Sequence, residues 1–276
     1  MRYPFCVLDI DGTLTHGFDT YHPDVVERVQ AYRGRGGTVA LLSGRLPHGM
    51  LDPVRLLGLP AGTLIGGGDG AVLARLADNG DLTWEWTRTL DVKKLHPRLV
   101  STAQPGLALT PTRVVAVGQT DQISERLASI TAPEVVRLPD WTGLPAALGD
   151  EPLVGLRFIR ERDDAVRLIA AFTEIPGIDR EVFDNQEFTH RHVGFSIRPA
   201  GCDKGTALVS MMATAGFPRE KTAAFGDWIT DIPMLRNAGL SGVPKDALPA
   251  VREAATRVSE HTIRDGWLAA EMDLLE

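Results

Sequence analysis

The sequence predicts an α/β protein built on a parallel sheet, with a second, α+β domain inserted into the first. Two observations indicate the first domain: continuous apolar runs such as Phe5–Leu8 and Thr38–Leu42, and helix-like segments between them. Strands of a parallel sheet read as continuous apolar runs because helices cover both faces. A third observation indicates the insertion: at residues 83–193 the runs are shorter and alternate with polar residues, as in strands with one exposed face. The predicted core therefore comprises residues 1–82 and 194–276.

The core elements alternate between strand and helix. Before the insertion we predict a strand over Pro4–Leu8, a helix that begins at Pro23 and is ended by the glycines at 34, 36 and 37, a strand over Thr38–Leu42, a helix over Pro47–Leu57 and a strand at Thr63–Ile65. After it we predict a helix that begins at Lys204, a strand over Thr222–Phe225, a short helix with Met234 and Leu235, and a helix over Ala247–Ala255. In sheets of this kind the ligand lies outside the carboxyl ends of the strands.

The inserted domain reads as strand–helix–strand units. Its predicted strands are Thr83–Thr87, Arg113–Val117 and Val154–Ile159, its helices are Asp121–Ile130 and Asp163–Thr173, and its long loop is Leu138–Pro152. Asp121 and Asp163 suit helix starts because an aspartate side chain can accept hydrogen bonds from the first backbone N–H groups.

Two carboxylates follow the first predicted strand, in the segment from Asp9 to Leu14. If the strand continues through them, Asp9 and Asp11 point to the same side, because residues i and i+2 of a strand do so. Gly12 and Thr13 then supply a turn and a hydroxyl. An isolated charge in a low-dielectric site is costly, so a cation, a proton or both must compensate the two acids.

Three further polar segments fall at matching places in the core. Ser43 and Gly44 follow the second predicted strand, Lys204 begins a helix, and Asp227 follows a late strand. Each segment alone reads as a turn or a helix cap. If the sheet is parallel, all of them meet at one edge, and this joint placement points to one functional site.

These residue types suit displacement at phosphorus. Asp9 is the predicted nucleophile, which would form an aspartyl phosphate. Asp11 would protonate the leaving oxygen and then activate water. The groups predicted to hold the phosphate are Gly12, Thr13, Ser43, Gly44 and Lys204.

The number of acids at this edge predicts a cation. Carboxylates at Asp9, Asp11, Asp227 and Asp231 would repel one another, which suppresses their ionisation. Carboxylate, carbonyl and phosphate oxygens favour Mg²⁺, whereas the spacing of the cysteines and histidines does not support a zinc site.

The composition excludes several classes of protein. With 276 residues, 43% of them apolar and 24% charged, the chain is typical of one large or two modest globular domains. A net charge of −7 disfavours a broad nucleic-acid surface. No apolar run reaches the length of a membrane span, and Asp9 lies too near the N-terminus for a cleaved signal peptide. We therefore expect a cytoplasmic monomer or homodimer that binds a small phosphorylated metabolite and contacts neither nucleic acid nor membrane.

The four ordered motifs resemble those of the haloacid dehalogenase-like superfamily of phosphohydrolases, and more closely its Cof-type sugar-phosphatase branch. They are Asp9 to Leu14, Leu42 to Arg45, Lys204, and Gly226 to Asp231. Weaker similarities occur at Gly68–Ala71, at Pro199–Gly205 and at Asp265-Gly266. The resemblance implies a Rossmann-like three-layer core and an inserted α+β cap of the C2B type that closes over the site and helps to select the substrate.

The resemblance also implies a ligand set for Mg²⁺. It comprises the Asp9 carboxylate, the Asp11 backbone carbonyl and Asp227, with Asp231 either binding the ion or lying behind the ligands. Two residues depart from the family pattern: Thr230 and Asp69 stand where asparagine is usual. Asp69 could disfavour a second phosphate or pair with Arg45. We also considered His190 as a substrate contact at the hinge of the cap, with an exposed strand position as the alternative.

The predicted function is Mg²⁺-dependent hydrolysis of a small phosphorylated metabolite, with a sugar phosphate as the favoured substrate. Two alternatives stay open at this point. A sugar phosphomutase would share the nucleophile and the cap, and a non-catalytic binding or regulatory protein would share the fold.

Overall fold

The computed structural model describes residues 1–17, 20–183 and 192–275. These residues divide into two units, each with its own sheet. The first unit comprises Met1–Gly44, Met50–Glu85 and Asp203–Glu276, and the second comprises Arg45–Gly49 and Trp86–Cys202.

Strands and helices alternate along most of the chain. The strands are β1 (Phe5–Leu8), β2 (Thr38–Leu42), β3 (Leu64–Gly67), β4 (Val72–Leu76), β5 (Leu82–Thr87), β6 (Gly106–Leu109), β7 (Val114–Val117), β8 (Val135–Leu138), β9 (Gly155–Glu161), β10 (Ile178–Phe183), β11 (His192–Pro199), β12 (Thr222–Phe225), β13 (Leu240–Val243) and β14 (Arg257–Val258). The helices are α1 (Pro23–Gly34), α2 (Leu51–Leu56), α3 (Val92–Thr102), α4 (Gln122–Thr131), α5 (Leu144–Leu148), α6 (Arg162–Ala171), α7 (Lys204–Ala215), α8 (Ile232–Asn237), α9 (Pro249–Ala254) and α10 (Trp267–Met272). Short 3₁₀ turns lie at Pro47–Met50, Gly68–Gly70, Trp141–Gly143, Arg219–Lys221, Ile229–Asp231, Ile263–Asp265 and Asp273–Leu275.

The sheet of the first unit has the strand order β14-β13-β12-β1-β2-β3-β4-β5. The pairs from β14 to β3 are parallel, and β4 is antiparallel to β3. The four residues of β1 are fully buried, which is why this strand reads as one apolar run. Leu8 at the end of β1 is in register with Leu41 of β2 and Phe225 of β12. The fold class predicted from the sequence is confirmed, and the ends of three strands lie side by side.

The second unit is built on a six-stranded sheet in the order β10-β11-β9-β6-β7-β8. Its pairs are antiparallel except for β7 and β8. On one face, Phe158 packs against the rings of Trp141, Phe172 and Phe195, at centroid distances of 5.9, 6.3 and 5.9 Å. This aromatic cluster lies within the apolar core of the unit.

The expectation of one exposed sheet face in the second unit is wrong. Leu107, Arg157 and Ser196 lie on the face opposite the aromatic cluster and are 2%, 8% and 3% exposed. Helix α4 packs against β6, β7 and β9, and Thr131 at its end accepts a hydrogen bond from Arg157 Nη1 at 3.4 Å. An alternating pattern cannot distinguish a solvated face from one that contains polar residues under a helix.

The division into units differs from the predicted boundaries at 82/83 and 193/194. Strand β5 is hydrogen-bonded to β4 in the first sheet, although the alternation of its residues had placed it in the insertion. Strand β11 pairs with β9 and β10 over both sides of residue 194. The predicted loop over Leu138–Pro152 is also wrong, because it contains α5 and the buried Trp141.

Several elements went unpredicted, and others are shorter than expected. The strands β4, β6, β8, β10, β13 and β14 and the helices α3 and α10 were missed. The helix predicted over Pro47–Leu57 is a 3₁₀ turn followed by α2. Within the described ranges, no helix combines the length and the apolar character that a membrane crossing requires.

We expect Phe158→Ala to lower the free energy of unfolding by about 3–5 kcal/mol, because it removes a buried ring from the centre of the aromatic cluster. Urea titration followed by circular dichroism measures the change. Val166→Ala on α6 is the control: Val166 is 62% exposed, and its truncation should change the stability by less than about 0.5 kcal/mol. Equal effects of the two substitutions would show that the cluster is not the stabilising core.

Candidate active site

Polar residues follow three neighbouring strands of the first sheet. Asp9 follows β1, Ser43 follows β2, and Asp227 comes two residues after β12. The backbone N–H of Asp9 donates to Phe225 O at 3.0 Å, and that of Ser43 donates to Gly66 O at 3.0 Å. Sheet hydrogen bonding therefore continues one residue past β1 and β2 and fixes the backbone positions of Asp9 and Ser43.

Lys204 enters the site from the first position of α7. A capping box begins this helix: Asp203 Oδ1 accepts from Thr206 N at 2.7 Å, and Thr206 Oγ1 accepts from Asp203 N at 3.2 Å. The Lys204 side chain is almost fully buried, and its Nζ donates to Asp9 Oδ1 at 2.8 Å and to Asp231 Oδ1 at 2.5 Å. The ammonium group therefore joins the end of β1 to the loop after β12.

Asp231 holds the loop that carries Asp227. It is fully buried, and its Oδ2 accepts from Asp227 N at 3.0 Å and from Trp228 N at 2.9 Å. A Cβ built on Gly226 would lie 2.5 Å from Asp231 Cγ, so only glycine permits this approach. Both Asp231 oxygens thus have protein donors, which suits a residue that positions its neighbours.

Residues of the first motif hold the Asp227 carboxylate in position. Its Oδ1 accepts a hydrogen bond from Thr13 Oγ1 at 3.1 Å. A Cβ built on Gly12 would lie 2.1 Å from Asp227 Oδ2, and Gly12 has a φ of +86°. Glycine is required there on both counts, because an L side chain disfavours this backbone conformation and would occupy the space of the carboxylate.

The three buried carboxylates lie close enough to share one cation. Oxygens of Asp9, Asp227 and Asp231 are all within 4.8 Å of one another. Burial, followed by the charges of Asp231 and Asp11, raises the pKa of Asp9 to about 7, against the lowering effect of Lys204. Burial and the charges of Asp231 and Asp9 also raise the pKa of Asp227 well above its ordinary range.

Among the described residues, Lys204 is the lysine that contacts this cluster. Burial lowers the pKa of Lys204, but the charges of Asp231 and Asp9 raise it by more, so the net direction is upward. Three ionised carboxylates and one ammonium leave a net negative charge in a buried site, which a divalent cation would offset. The donors are hard oxygens, and this is the set that fits Mg²⁺.

The first motif is a turn and not a continuing strand. β1 ends at Leu8, and the Ile10 carbonyl accepts from the N–H groups of Thr13, Leu14 and Thr15 at 3.1, 2.8 and 3.0 Å. Asp11 is half-buried in this turn. We expected Asp9 and Asp11 to point to the same side if the strand continued through both residues. The strand ends before them, so this condition is not met.

The other predicted site residues occupy different surroundings. Ser43 is buried, and its carbonyl accepts from Asp69 N at 3.2 Å. Asp69 is buried in a left-handed conformation with φ 54°, and its charge contributes to the raised pKa of Lys204. Gly44 belongs to the first unit and the buried Arg45 to the second. Thr230 is half-buried in the turn at Ile229–Asp231, and His190 lies outside the described residues.

Sequence reasoning missed one residue that contacts the first motif. Trp267 Nε1 donates to Gly12 O at 3.0 Å, although 255 positions separate the two residues. Trp267 directly follows the Asp265-Gly266 pair that had been noted only as a family similarity. A tryptophan after a glycine turn carries no signal for a partner so distant in sequence.

A family model described as haloacid dehalogenase-like hydrolase matches residues 148–270, which include Lys204, Asp227 and Asp231. A phosphoglycolate phosphatase from Methanothrix thermoacetophila is 34% identical over 76 residues. That match covers 27% of this chain and 34% of the relative, and thus spans only about a third of the relative's length. A phosphoglycolate phosphatase from Metallosphaera sedula is 25% identical over 250 residues, covering 90% of this chain and 88% of that protein.

Solved structures share the fold over the whole chain. A haloacid dehalogenase-like hydrolase from Bacteroides thetaiotaomicron superposes with a TM-score of 0.80 at 20% identity and covers 100% of both chains. A subclass IIB sugar phosphatase of the same superfamily superposes with a TM-score of 0.74 at 17% identity over 98% of each chain. At these identities the structures establish the fold and leave the reaction to be argued from the site.

Without added divalent cation, we expect the protein to lose stability as the pH rises from about 4 to about 7. The pKa of Asp9 is about 7 in the folded state against an ordinary value of 3.8, so in this window the folded state holds a proton that the unfolded chain has released. Protonation therefore favours folding, and this contribution disappears as the pH passes through the folded pKa. The raised pKa of Asp227 acts in the same direction.

Denaturant titrations in EDTA at several pH values measure this slope. Asp9→Asn cannot ionise at this position and should flatten it. Asp52→Asn is the control, because the Asp52 side chain is 91% exposed, and it should keep the wild-type slope. A slope that is the same in all three proteins would mean that Asp9 does not hold a proton in the folded state.

Proposed function

We propose that the chain is a haloacid dehalogenase-like hydrolase and that it acts as an Mg²⁺-dependent phosphatase on a small phosphorylated metabolite. The observation that carries this proposal is the buried contact of Lys204 Nζ with Asp9 Oδ1, beside the carboxylates of Asp227 and Asp231. Such a group of one lysine and three acids is costly in a protein interior, and carboxylates with pKa values raised in this way cluster at functional sites.

Asp9 is the proposed nucleophile. Lys204 holds its Oδ1 at 2.8 Å, and the described residues contribute no donor to Oδ2. A carboxylate oxygen of Asp9 attacks phosphorus while the bond from phosphorus to the leaving oxygen breaks, which leaves an aspartyl phosphate. Lys204 keeps the carboxylate in one orientation and offsets charge on the phosphoryl group.

Asp11 is the proposed general acid and base. It gives its proton to the leaving oxygen in the first step and accepts a proton from water in the second. The water oxygen then attacks phosphorus, the bond from phosphorus to Asp9 breaks, and phosphate is released. The half-buried position of Asp11, beside the more deeply buried Asp9, supports this role, because an acid–base group must reach both the leaving group and water.

Residues of the first two motifs are the proposed phosphate contacts. Ser43 and the backbone around Gly44 follow β2, next to the end of β1. Gly12 and Thr13 form the turn after Asp9, and Lys204 supplies the positive charge.

Asp9, Asp227 and the Asp11 carbonyl are the proposed ligands of Mg²⁺. When bound, the ion offsets negative charge on the phosphoryl group and on the carboxylates. Asp231 is better suited to holding the ligand loop than to binding the ion, because both of its oxygens accept hydrogen bonds from protein donors. Thr13 orients Asp227 through the hydroxyl hydrogen bond.

The substrate class is proposed from the relatives and from the second unit. The named relatives are phosphoglycolate phosphatases, and one structural neighbour is a sugar phosphatase. These names favour a small phosphate monoester, with a sugar phosphate as our first candidate. We propose that the second unit acts as the cap that selects the substrate, with Arg45, Asp69, Thr230 and His190 as candidate contacts.

We expect Asp9→Asn to lower kcat for every phosphate ester by at least about a thousandfold, because an amide cannot form the aspartyl phosphate. Phosphate release from a panel of sugar phosphates, phosphoglycolate and a chromogenic aryl phosphate in the presence of Mg²⁺ measures the loss. Asp52→Asn should keep wild-type rates, and thermal melts show whether both variants fold.

The same panel separates the alternatives. Transfer of phosphate between positions of one sugar, with little phosphate release, would indicate a phosphomutase. Tight binding of a phosphate ester without turnover would indicate a binding protein. Release of phosphate that is equal in the wild type and Asp9→Asn would exclude Asp9 as the nucleophile.

We expect Mg²⁺ to raise the melting temperature more at pH 8 than at pH 5. At the lower pH, Asp9 holds a proton because burial raises its pKa to about 7, and the raised pKa of Asp227 acts in the same direction. A protonated carboxyl group binds Mg²⁺ poorly. Thermal melts with and without Mg²⁺ at both pH values measure the difference. Asp227→Asn should reduce the shift at pH 8, and a shift that is independent of pH would rule out these carboxylates as the binding groups.

A further inference from the structure

We propose that Trp267 is a positioning residue that sets the orientation of the Asp227 carboxylate through the Gly12–Thr13 peptide. This inference rests on the proposed role of Asp227 as a ligand of Mg²⁺. It concerns a residue outside the four motifs, at the start of the C-terminal helix α10.

The first observation is the hydrogen bond from the indole of Trp267 to Gly12, in the turn that follows Asp9. Trp267 is 1% exposed, and its Nε1 donates to Gly12 O at 3.0 Å. A buried indole N–H needs an acceptor, and the carbonyl of the half-buried Gly12 supplies it. The bond therefore satisfies the indole and restrains the direction of the Gly12 carbonyl.

The second observation is the chain of contacts that leads from this carbonyl to Asp227. The peptide between Gly12 and Thr13 is planar, so the direction of its carbonyl also sets the direction of the Thr13 N–H. That N–H donates to Ile10 O at 3.1 Å, and the Thr13 hydroxyl donates to Asp227 Oδ1 at 3.1 Å. Rotation of this peptide would move the Thr13 hydroxyl away from the carboxylate.

The third observation is that Trp267 also contacts the strand that leads to Asp227. Its ring packs edge-on against Phe225, with a centroid distance of 6.0 Å and an interplanar angle of 60°. Phe225 is the last residue of β12 and lies two positions before Asp227. Gly242 leaves room for the pair, because a Cβ there would lie 2.6 Å from the Phe225 ring. One indole thus contacts both segments that determine where the Asp227 carboxylate lies.

The turn before Trp267 holds the indole in place. Gly266 has a φ of +68°, and a Cβ on it would lie 2.7 Å from the ring of His22. Asp265 Oδ2 accepts from Thr262 N at 3.1 Å and from Thr262 Oγ1 at 2.7 Å. This gives the Asp265-Gly266 pair a physical role: it ends the preceding turn and directs the chain into α10.

Trp141 provides a matched control in the second unit. It is 2% exposed, and its Nε1 donates to a backbone carbonyl, Gln104 O, at 2.7 Å. Replacement of either tryptophan by phenylalanine keeps a buried ring and removes one N–H donor. The two variants should therefore lose similar stability, and only Trp267→Phe removes a contact to the Gly12–Thr13 peptide.

The experiment measures Mg²⁺ binding by calorimetry, without substrate, for the wild type, Trp267→Phe and Trp141→Phe. We expect Trp267→Phe to raise the Mg²⁺ dissociation constant about tenfold, the lower end of the range for residues that orient a metal ligand. Trp141→Phe should change it less than about twofold. Trp267→Phe should also lower kcat for the chromogenic ester at a given Mg²⁺ concentration more than it changes KM.

Thr13→Val supplies a second route to the same conclusion. If Trp267 acts through Thr13, the effects of Trp267→Phe and Thr13→Val on Mg²⁺ binding will not add in the double variant. Equal Mg²⁺ affinity in the wild type and both tryptophan variants, with equal losses of melting temperature, would overturn the inference and leave Trp267 as a core residue. Absence of Mg²⁺ binding to the wild type would contradict the proposed metal site and this inference together.

Discussion

The buried ammonium group of Lys204, which contacts Asp9 and Asp231 at once, is the interaction on which the rest of the site depends. It joins three distant parts of the chain: the end of β1, the start of α7 and the loop after β12. Removal of one partner would leave a buried charge without its counter-charge, a costly change in a protein interior. Loss of this contact would therefore destabilise the first unit, and the contact itself fixes the proposed nucleophile.

The acids at this site cannot all ionise at low cost without a cation. Burial and neighbouring acids raise the pKa of Asp9 to about 7 and shift that of Asp227 in the same direction, which favours the protonated forms as the pH falls. A bound divalent cation reverses that preference, because it stabilises the ionised carboxylates. Metal binding and ionisation of the proposed nucleophile are therefore coupled. Without the metal, the closely spaced acids lower the stability of the folded protein.

The sequence was informative for features that a short segment determines by itself, such as a buried strand or the start of a helix. The buried strands β1, β2 and β12, and Lys204 at a helix start, could be predicted from apolar runs and capping residues. Side-chain alternation could not reveal which sheet a strand joins, so the predicted boundaries at 82/83 and 193/194 cut through β5 and β11. The role of Asp231 as an acceptor for two loop N–H groups and the contact of Trp267 with Gly12 depend on tertiary structure, which no local spacing encodes.

The most direct test of the central claim is to identify the residue that carries the phosphoryl group during turnover. Asp11→Asn should slow hydrolysis of the intermediate, so this variant is mixed with an active phosphate ester and Mg²⁺, quenched in acid, digested and examined by mass spectrometry. We expect a phosphoryl group on Asp9. A phosphoryl group on another residue would contradict the account, as would its absence while the wild type hydrolyses the same ester.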